Sequence, residues 1–218
     1  MYLSRVKLNT KLRKTMIALA SPSKLHGTLE TAFCGQENSS DPRPRKLWRI
    51  DVLGEDTYLL ILSQAVPDLS VIVSQLGFDN ASGETKSCEA LFNRITPGSR
   101  WHFRLVANPT IAYSHKSSGG TKSKVCCHIT VEHQRKWLLD RAEKHGFLLN
   151  SEDFDITQSR WICFRKGNCR QQVMFKSVTY EGALTVKNAE LFKQALINGL
   201  GREKAYGQGM LTVVKSPE

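Results

Sequence analysis

The chain has 218 residues, 40% hydrophobic and 23% charged, and its 31 basic against 20 acidic side chains give a formal charge of +11. That length suits one large domain or two compact ones, and the composition excludes a disordered chain. There is no apolar run of about 18 residues for a membrane span and no signal-peptide pattern, so the basic surplus points to a polyanionic partner, nucleic acid first.

Taken in order, Tyr2 to Leu8 alternates and reads as a strand that opens the fold. Pro22 to Phe33 has helical spacing at Leu25, Leu29 and Phe33, with Ser21 or Ser23 placed to cap it. Leu47 to Leu53 and Tyr58 to Ser63 read as strands around the turn Gly54-Glu55-Asp56, followed by a helix from Leu69 to Leu76 that stops at Gly77. Arg100 to Val106 alternates again, with Trp101, Phe103 and Leu105 on one face and His102 and Arg104 on the other.

The polar stretch Ser114 to Lys124, containing Gly119-Gly120, reads as a linker, and Lys124 to His128 as a strand beyond it. Glu132 to His145 is a helix stopped by Gly146, and Phe154 to Phe164 with Val173 to Val186 forms a long hairpin around Lys166-Gly167-Asn168. Ala189 to Ile197 is the last helix and Met210 to Val214 the last strand. Each half thus reads β-α-β-β-α-β, and the expected fold is α+β, two tandem ferredoxin-like (RRM-like) domains over residues 1–110 and 111–218.

The six cysteines show no C-x-x-C, and Cys126-Cys127 are adjacent, so they read as reduced cytosolic thiols rather than a zinc site or a disulfide framework. Net charge divides as +4 over residues 1–110 (14 basic, 10 acidic) and +7 over 111–218 (17 basic, 10 acidic). Between Arg160 and Lys176 stand Arg160, Arg165, Lys166, Arg170 and Lys176 with no acid among them, which suits a basic finger tracking a phosphate backbone.

The most specific segment is Asn198-Gly199-Leu200-Gly201-Arg202-Glu203-Lys204-Ala205-Tyr206-Gly207-Gln208-Gly209, between a helix and a strand. Glycine allows positive φ, so successive N–H groups there are able to converge on one anion, with Arg202 and Lys204 beside it. The order helix-loop-strand excludes a Walker loop or a dinucleotide fingerprint.

Glycine pairs around a lysine before the last strand resemble the signature of CRISPR repeat-processing endoribonucleases. Met1-Tyr2-Leu3-Ser4-Arg5-Val6, Leu25-His26, Phe103-Arg104-Leu105-Val106-Ala107-Asn108-Pro109 and Tyr180-Glu181-Gly182-Ala183-Leu184 resemble the CasE branch in particular, in family order along nearly the whole chain. The resemblance implies a metal-independent cut at the 3′ base of a repeat stem-loop in CRISPR precursor RNA. It implies as partners the CRISPR repeat RNA hairpin and the other subunits of the Cascade surveillance complex, in the cytoplasm, with no membrane and no small-molecule cofactor.

Metal-free RNA cleavage uses the 2′-hydroxyl as nucleophile, leaving a 2′,3′-cyclic phosphate, and needs a base, an acid and cations for the phosphorane charge. Histidine suits either proton role near neutral pH, and His26 falls where similar enzymes carry their catalytic histidine. Many relatives have a tyrosine three residues earlier; here that place holds Ser23, a shorter and less acidic hydroxyl. The expected catalytic residues are therefore His26 and Ser23. The expected RNA contacts are Arg160, Arg165, Lys166, Arg170, Lys176, Gly199, Gly201, Arg202, Lys204, Gly207 and Gly209. The other reading is an RNA-hairpin-binding subunit of the same fold in which His26 is idle. His133 and His145 read as solvated helix residues, and Trp48, Trp101, Trp137 and Trp161 as core.

Overall fold

The computed structural model describes residues 1–34, 44–117, 120–166 and 172–215. Strand β1 (Tyr2–Leu8) is followed by helices α1 (Arg13–Leu19) and α2 (Pro22–Thr31), then strands β2 (Leu47–Leu53) and β3 (Asp56–Ser63). Helix α3 (Leu69–Leu76), strand β4 (Glu84–Ser87) and helix α4 (Glu89–Asn93) complete the first unit. Its antiparallel sheet has the order β2-β3-β1-β4. Alternation in β1 sends Ser4, Val6 and Leu8 inward, where Val6 and Leu8 meet Leu25 and Leu29, one turn apart on α2.

The second unit runs β5 (Arg100–Ala107), β6 (Thr110–Ser117), β7 (Gly120–Cys127), α5 (Val131–Ala142) and β8 (Phe147–Leu148), then β9 (Phe154–Arg165), β10 (Gln172–Val186), α6 (Ala189–Asn198) and β11 (Leu211–Lys215). Its sheet has the order β11-β5-β10-β8, with β9 also pairing along β10. Read as first, second, third and fourth strands of each βαββαβ unit, both sheets have the order 4-1-3-2, so the expected tandem ferredoxin-like fold is what forms.

The sequence reading placed no element at α1, α4 or β8, and three further regions depart from it. Arg100 to Val106, taken as the last strand of the first half, is the first strand of the second sheet, flanked by β10 and β11. The strand that closes the first sheet is β4, whose Glu-Thr-Lys-Ser lies at an exposed edge and so carries no apolar alternation. The polar stretch read as a linker, with Lys124 to His128 after it, belongs to the β6–β7 ribbon, registered from Thr110 opposite Cys127 to Ser117 opposite Gly120. The ribbon pairs with neither of the two larger sheets, which is why its composition resembles a loop.

The units meet through a small apolar cluster, Leu47, Leu62 and Cys88 from the first with Met210 from the second, and through Arg49. Arg49 and Asp51 on β2 are 3% and 6% exposed. The guanidinium donates to both Asp51 oxygens at 2.8 and 2.7 Å, and across the interface to the Arg104 and Met210 carbonyls and the Thr212 hydroxyl. Removing one member of a buried pair strands the other charge, so Arg49→Ala is expected to cost about 3–5 kcal/mol. A urea denaturation midpoint within error of wild type would contradict this.

Candidate RNA-cleavage site

Pro22 stands at the start of α2, where its missing N–H costs nothing and its fixed φ suits a helix. Ser21 is the N-cap by position, but its side chain makes no capping bond; its hydroxyl lies 3.1 Å from that of Ser23. Neither serine therefore caps α2 as expected. His26 follows buried Leu25 and so turns toward the rim, its side chain 38% exposed and Nδ1 3.8 Å from Glu30 Oε1. Glu30 Oε2 accepts from Lys46 Nζ at 2.8 Å, and the Lys46 ammonium also lies 4.6 Å above the Phe33 ring. One carboxylate one helical turn from His26 thus sits between the imidazole and a cation.

The glycine-rich loop closes this corner from the second unit. Gly199, Gly201, Gly207 and Gly209 all have positive φ, as does Glu203 at 60°. Three of the glycines are demanded by close approach: a Cβ on Gly199 would lie 2.7 Å from the Gly209 carbonyl oxygen, one on Gly207 2.8 Å from Trp48 Cζ3, and one on Gly209 2.6 Å from the Leu200 carbonyl oxygen. The N–H groups of Gly199, Gly207 and Gly209 donate to the carbonyls of Ala195, Lys204 and Val106. They are taken up in holding the loop closed, which corrects the expectation that they converge on an anion. The Trp48 indole N–H donates to the Ala205 carbonyl at 3.2 Å, which pins the single turn Lys204–Tyr206 against α2 and β2.

A cavity of about 290 Å³ results, lined by His26, Glu30, Pro44, Arg45, Lys46, Lys204 and Ala205. His26 and Lys204, 178 positions apart in sequence, share it because the loop folds back onto α2. Burial, and then the charge of Arg45, hold the Lys204 ammonium below the ordinary lysine pKa. Ser23 does not line this cavity. Sequence reasoning missed Glu30, Arg45 and Lys46. Glu30 was legible as the i,i+4 neighbour of His26, whereas Arg45-Lys46 carried no signal beyond adjacent basic residues.

Arg160, Arg165 and Lys166 are exposed along β9 and its end, and Arg170 lies outside the described residues. Lys176 is only 9% exposed, its ammonium 5.2 Å above the ring of Trp161, the residue opposite it on β9. Trp161 is not core as expected: it is 46% exposed. Arg202 is exposed and its backbone bridges to Asn108. The Tyr206 ring packs on Phe164 and Phe175 at 4.9 and 6.2 Å, tying the loop to the basic hairpin.

Comparison with known proteins finds relatives along nearly the whole chain. Residues 1–215 match the family described as CRISPR associated protein. The CRISPR-associated endoribonuclease Cse3 of Thermus thermophilus is 29% identical over 98% of this chain and 99% of its own length. A structure of Cse3 bound to a 19-nucleotide RNA superposes with a TM-score of 0.75 at 29% identity, over 98% of both chains. A Thermus thermophilus Cse3 structure with an RNA representing a pre-cleavage complex superposes with a TM-score of 0.75 at 27% identity, over 98% of both chains. Cas6e of Escherichia coli K-12, at 20% identity and a TM-score of 0.62 over 99% of this chain and 100% of its own, shares the fold.

Proposed function

The chain belongs to the CRISPR associated protein family, and we propose that it is an endoribonuclease that cuts the repeat hairpins of CRISPR precursor RNA without a metal ion. The observation that carries this reading is the single cavity in which His26, Glu30, Arg45, Lys46 and Lys204 meet. The curated relative Cse3 is named an endoribonuclease, and structures of Cse3 hold RNA.

With the scissile phosphate in this cavity, His26 takes the proton of the 2′-hydroxyl and the 2′-oxygen attacks phosphorus. The bond to the 5′-oxygen breaks, and Lys204 gives that oxygen a proton. The products are a 2′,3′-cyclic phosphate and a free 5′-hydroxyl. Glu30, on the Nδ1 side of His26, steadies the imidazolium as it forms, and Arg45 and Lys46 carry the charge of the phosphorane. Lys204 suits the acid role because a depressed ammonium releases its proton more readily. The Ser23 hydroxyl, turned to Ser21, orders the first turn of α2 rather than moving a proton.

The exposed Arg160, Arg165 and Lys166 hold phosphates of the stem, with exposed Trp161 beside them. Such contacts make product release slow, which fits retention of the guide RNA in a surveillance complex.

The test is cleavage of an end-labelled repeat hairpin in EDTA, alongside the same RNA with 2′-deoxyribose at the nucleotide before the cut. The all-ribose RNA is expected to be cut once near the 3′ base of its stem, and the deoxy RNA to bind equally well and stay whole. Cutting of the deoxy RNA, or loss of cutting in EDTA, would overturn the mechanism. Tight binding of both RNAs without cutting would make the protein an RNA-binding subunit.

A further inference from the structure

A second cavity, of about 620 Å³, lies between the start of β6 and the α5 segment, lined by Thr110, Ile111 and Ala112 on one side and by Trp137 and Arg141 on the other. Its floor is Trp137, whose buried indole N–H has no acceptor among the described residues. His128 and His133 form one wall, their rings stacked at 5.7 Å, and the Thr130 hydroxyl engages His133 Nδ1 at 2.8 Å, leaving Nε2 for a ligand. Arg141 lies 4.4 Å above the Trp137 ring, and exposed Lys136 and Lys144 stand at the rim with half-buried His145. Asp140 is the one carboxylate among the described lining residues, and Lys136 already pairs with it at 2.9 Å.

Basic groups therefore outnumber acids along this lining. Burial, His133 and Arg141 lower the pKa of His128, and burial, Arg141 and Lys204 lower that of His145. A phosphate seated between them would relieve both.

The glycine-rich loop joins this groove to the cleavage cavity. Its Gly201 approaches the Trp137 floor, where an added Cβ would lie 3.1 Å from the ring; Lys204 lines the His26 cavity; Tyr206 packs on the hairpin rings. Groove, cleavage cavity and basic hairpin therefore meet three successive stretches of one loop. If the hairpin side holds the stem, the strand that passes His26 continues, beyond the cut, toward the groove.

We propose that the groove between α5 and the β6–β7 ribbon binds the phosphates of the unpaired RNA segment on the 3′ side of the scissile bond. This rests on the reading of the His26 cavity as the point of cleavage. The groove is then a subsite for substrate and not for retained product, because that segment departs once the bond is cut.

The test compares two repeat RNAs carrying a 2′-deoxy block at the cut, one ending just past the scissile phosphate and one extended by about eight unpaired nucleotides. Wild type is expected to bind the extended RNA more tightly. The variant Lys136→Ala/Lys144→Ala, which alters only exposed side chains, is expected to lose roughly tenfold in affinity for the extended RNA, with a salt slope lower by about 0.7 for each phosphate no longer neutralised. Its affinity for the short RNA, and its cutting of an all-ribose short RNA, are expected to match wild type, which also shows that it is folded. Equal losses on both RNAs would mean general electrostatic attraction and overturn the inference. Unchanged affinity for both would overturn it too, leaving the groove to an acidic protein surface. Failure of wild type to cut any all-ribose repeat RNA would overturn the nuclease reading, and this inference with it.

Discussion

Replacing His26 by alanine is expected to lower single-turnover cleavage of the repeat hairpin by roughly 10²- to 10⁴-fold, the usual contribution of a positioned acid or base. Binding of the hairpin is expected to stay close to wild type. The reason is local: Leu25 and Leu29 carry the packing of α2, whereas the His26 side chain stands at the rim with Glu30 at 3.8 Å. The variant therefore removes proton transfer without opening the core. Glu30→Gln should lose less, since the imidazole remains and only its orientation and charge balance suffer. If His26→Ala cuts as fast as wild type, His26 is idle and the proton roles pass to other groups in the cavity. If it fails to bind, the defect lies in folding or substrate capture and the catalytic assignment loses its support.

Element order was legible in this sequence because each βαββαβ unit needs one apolar face per strand and one apolar stripe per helix, and the periods 2 and 3.6 are written in Tyr2 to Leu8, Leu69 to Leu76 and Glu132 to His145. What failed was pairing. Nothing local tells β5 that its neighbours are β10 and β11, because Trp101, Phe103 and Leu105 would suit the inner face of either sheet. Edge and ribbon strands failed for the opposite reason, since β4 lies at an exposed edge and the β6–β7 ribbon pairs with neither sheet.

The site was half legible in the same way. His26 and the glycine-rich loop were recognisable as patterns, but their meeting depends on the fold-back of the loop across Trp48, a contact between residues far apart in the chain. Lys176 shows the limit of charge counting. It belongs to an acid-free basic run, yet strand alternation turns its ammonium onto the Trp161 ring and leaves it nearly buried. Two histidines of the groove, His133 and His145, read as solvated helix residues, because His133 lies in the first turn of α5 and His145 just beyond its end. Only the packing of α5 beside the ribbon brings them to one cavity.

Lys204 is where charge and proton transfer can be separated. Lys204→Arg keeps the positive charge in the cavity, but a guanidinium does not release a proton in the range where enzymes work. If Lys204 acts as the general acid, the arginine variant is expected to fall by roughly 10²-fold or more, with hairpin affinity retained. The pH profile supplies the sign. An acid must be protonated, so its contribution is intact below its pKa and is lost as pH rises through it. Because burial first and Arg45 second depress the Lys204 ammonium, the alkaline limb of kcat/KM for wild type is expected below the ordinary lysine value of 10.5. Arg45→Ala removes the second of these causes and leaves the first, so the limb is expected to move up in pH without reaching that value. The same substitution also weakens the stabilisation of the phosphorane, so the plateau rate drops while the limb shifts, and the two effects separate in one profile. A limb unmoved by Arg45→Ala, together with full activity of Lys204→Arg, would reduce Lys204 to a fixed charge and leave protonation of the 5′-oxygen to solvent or to His26.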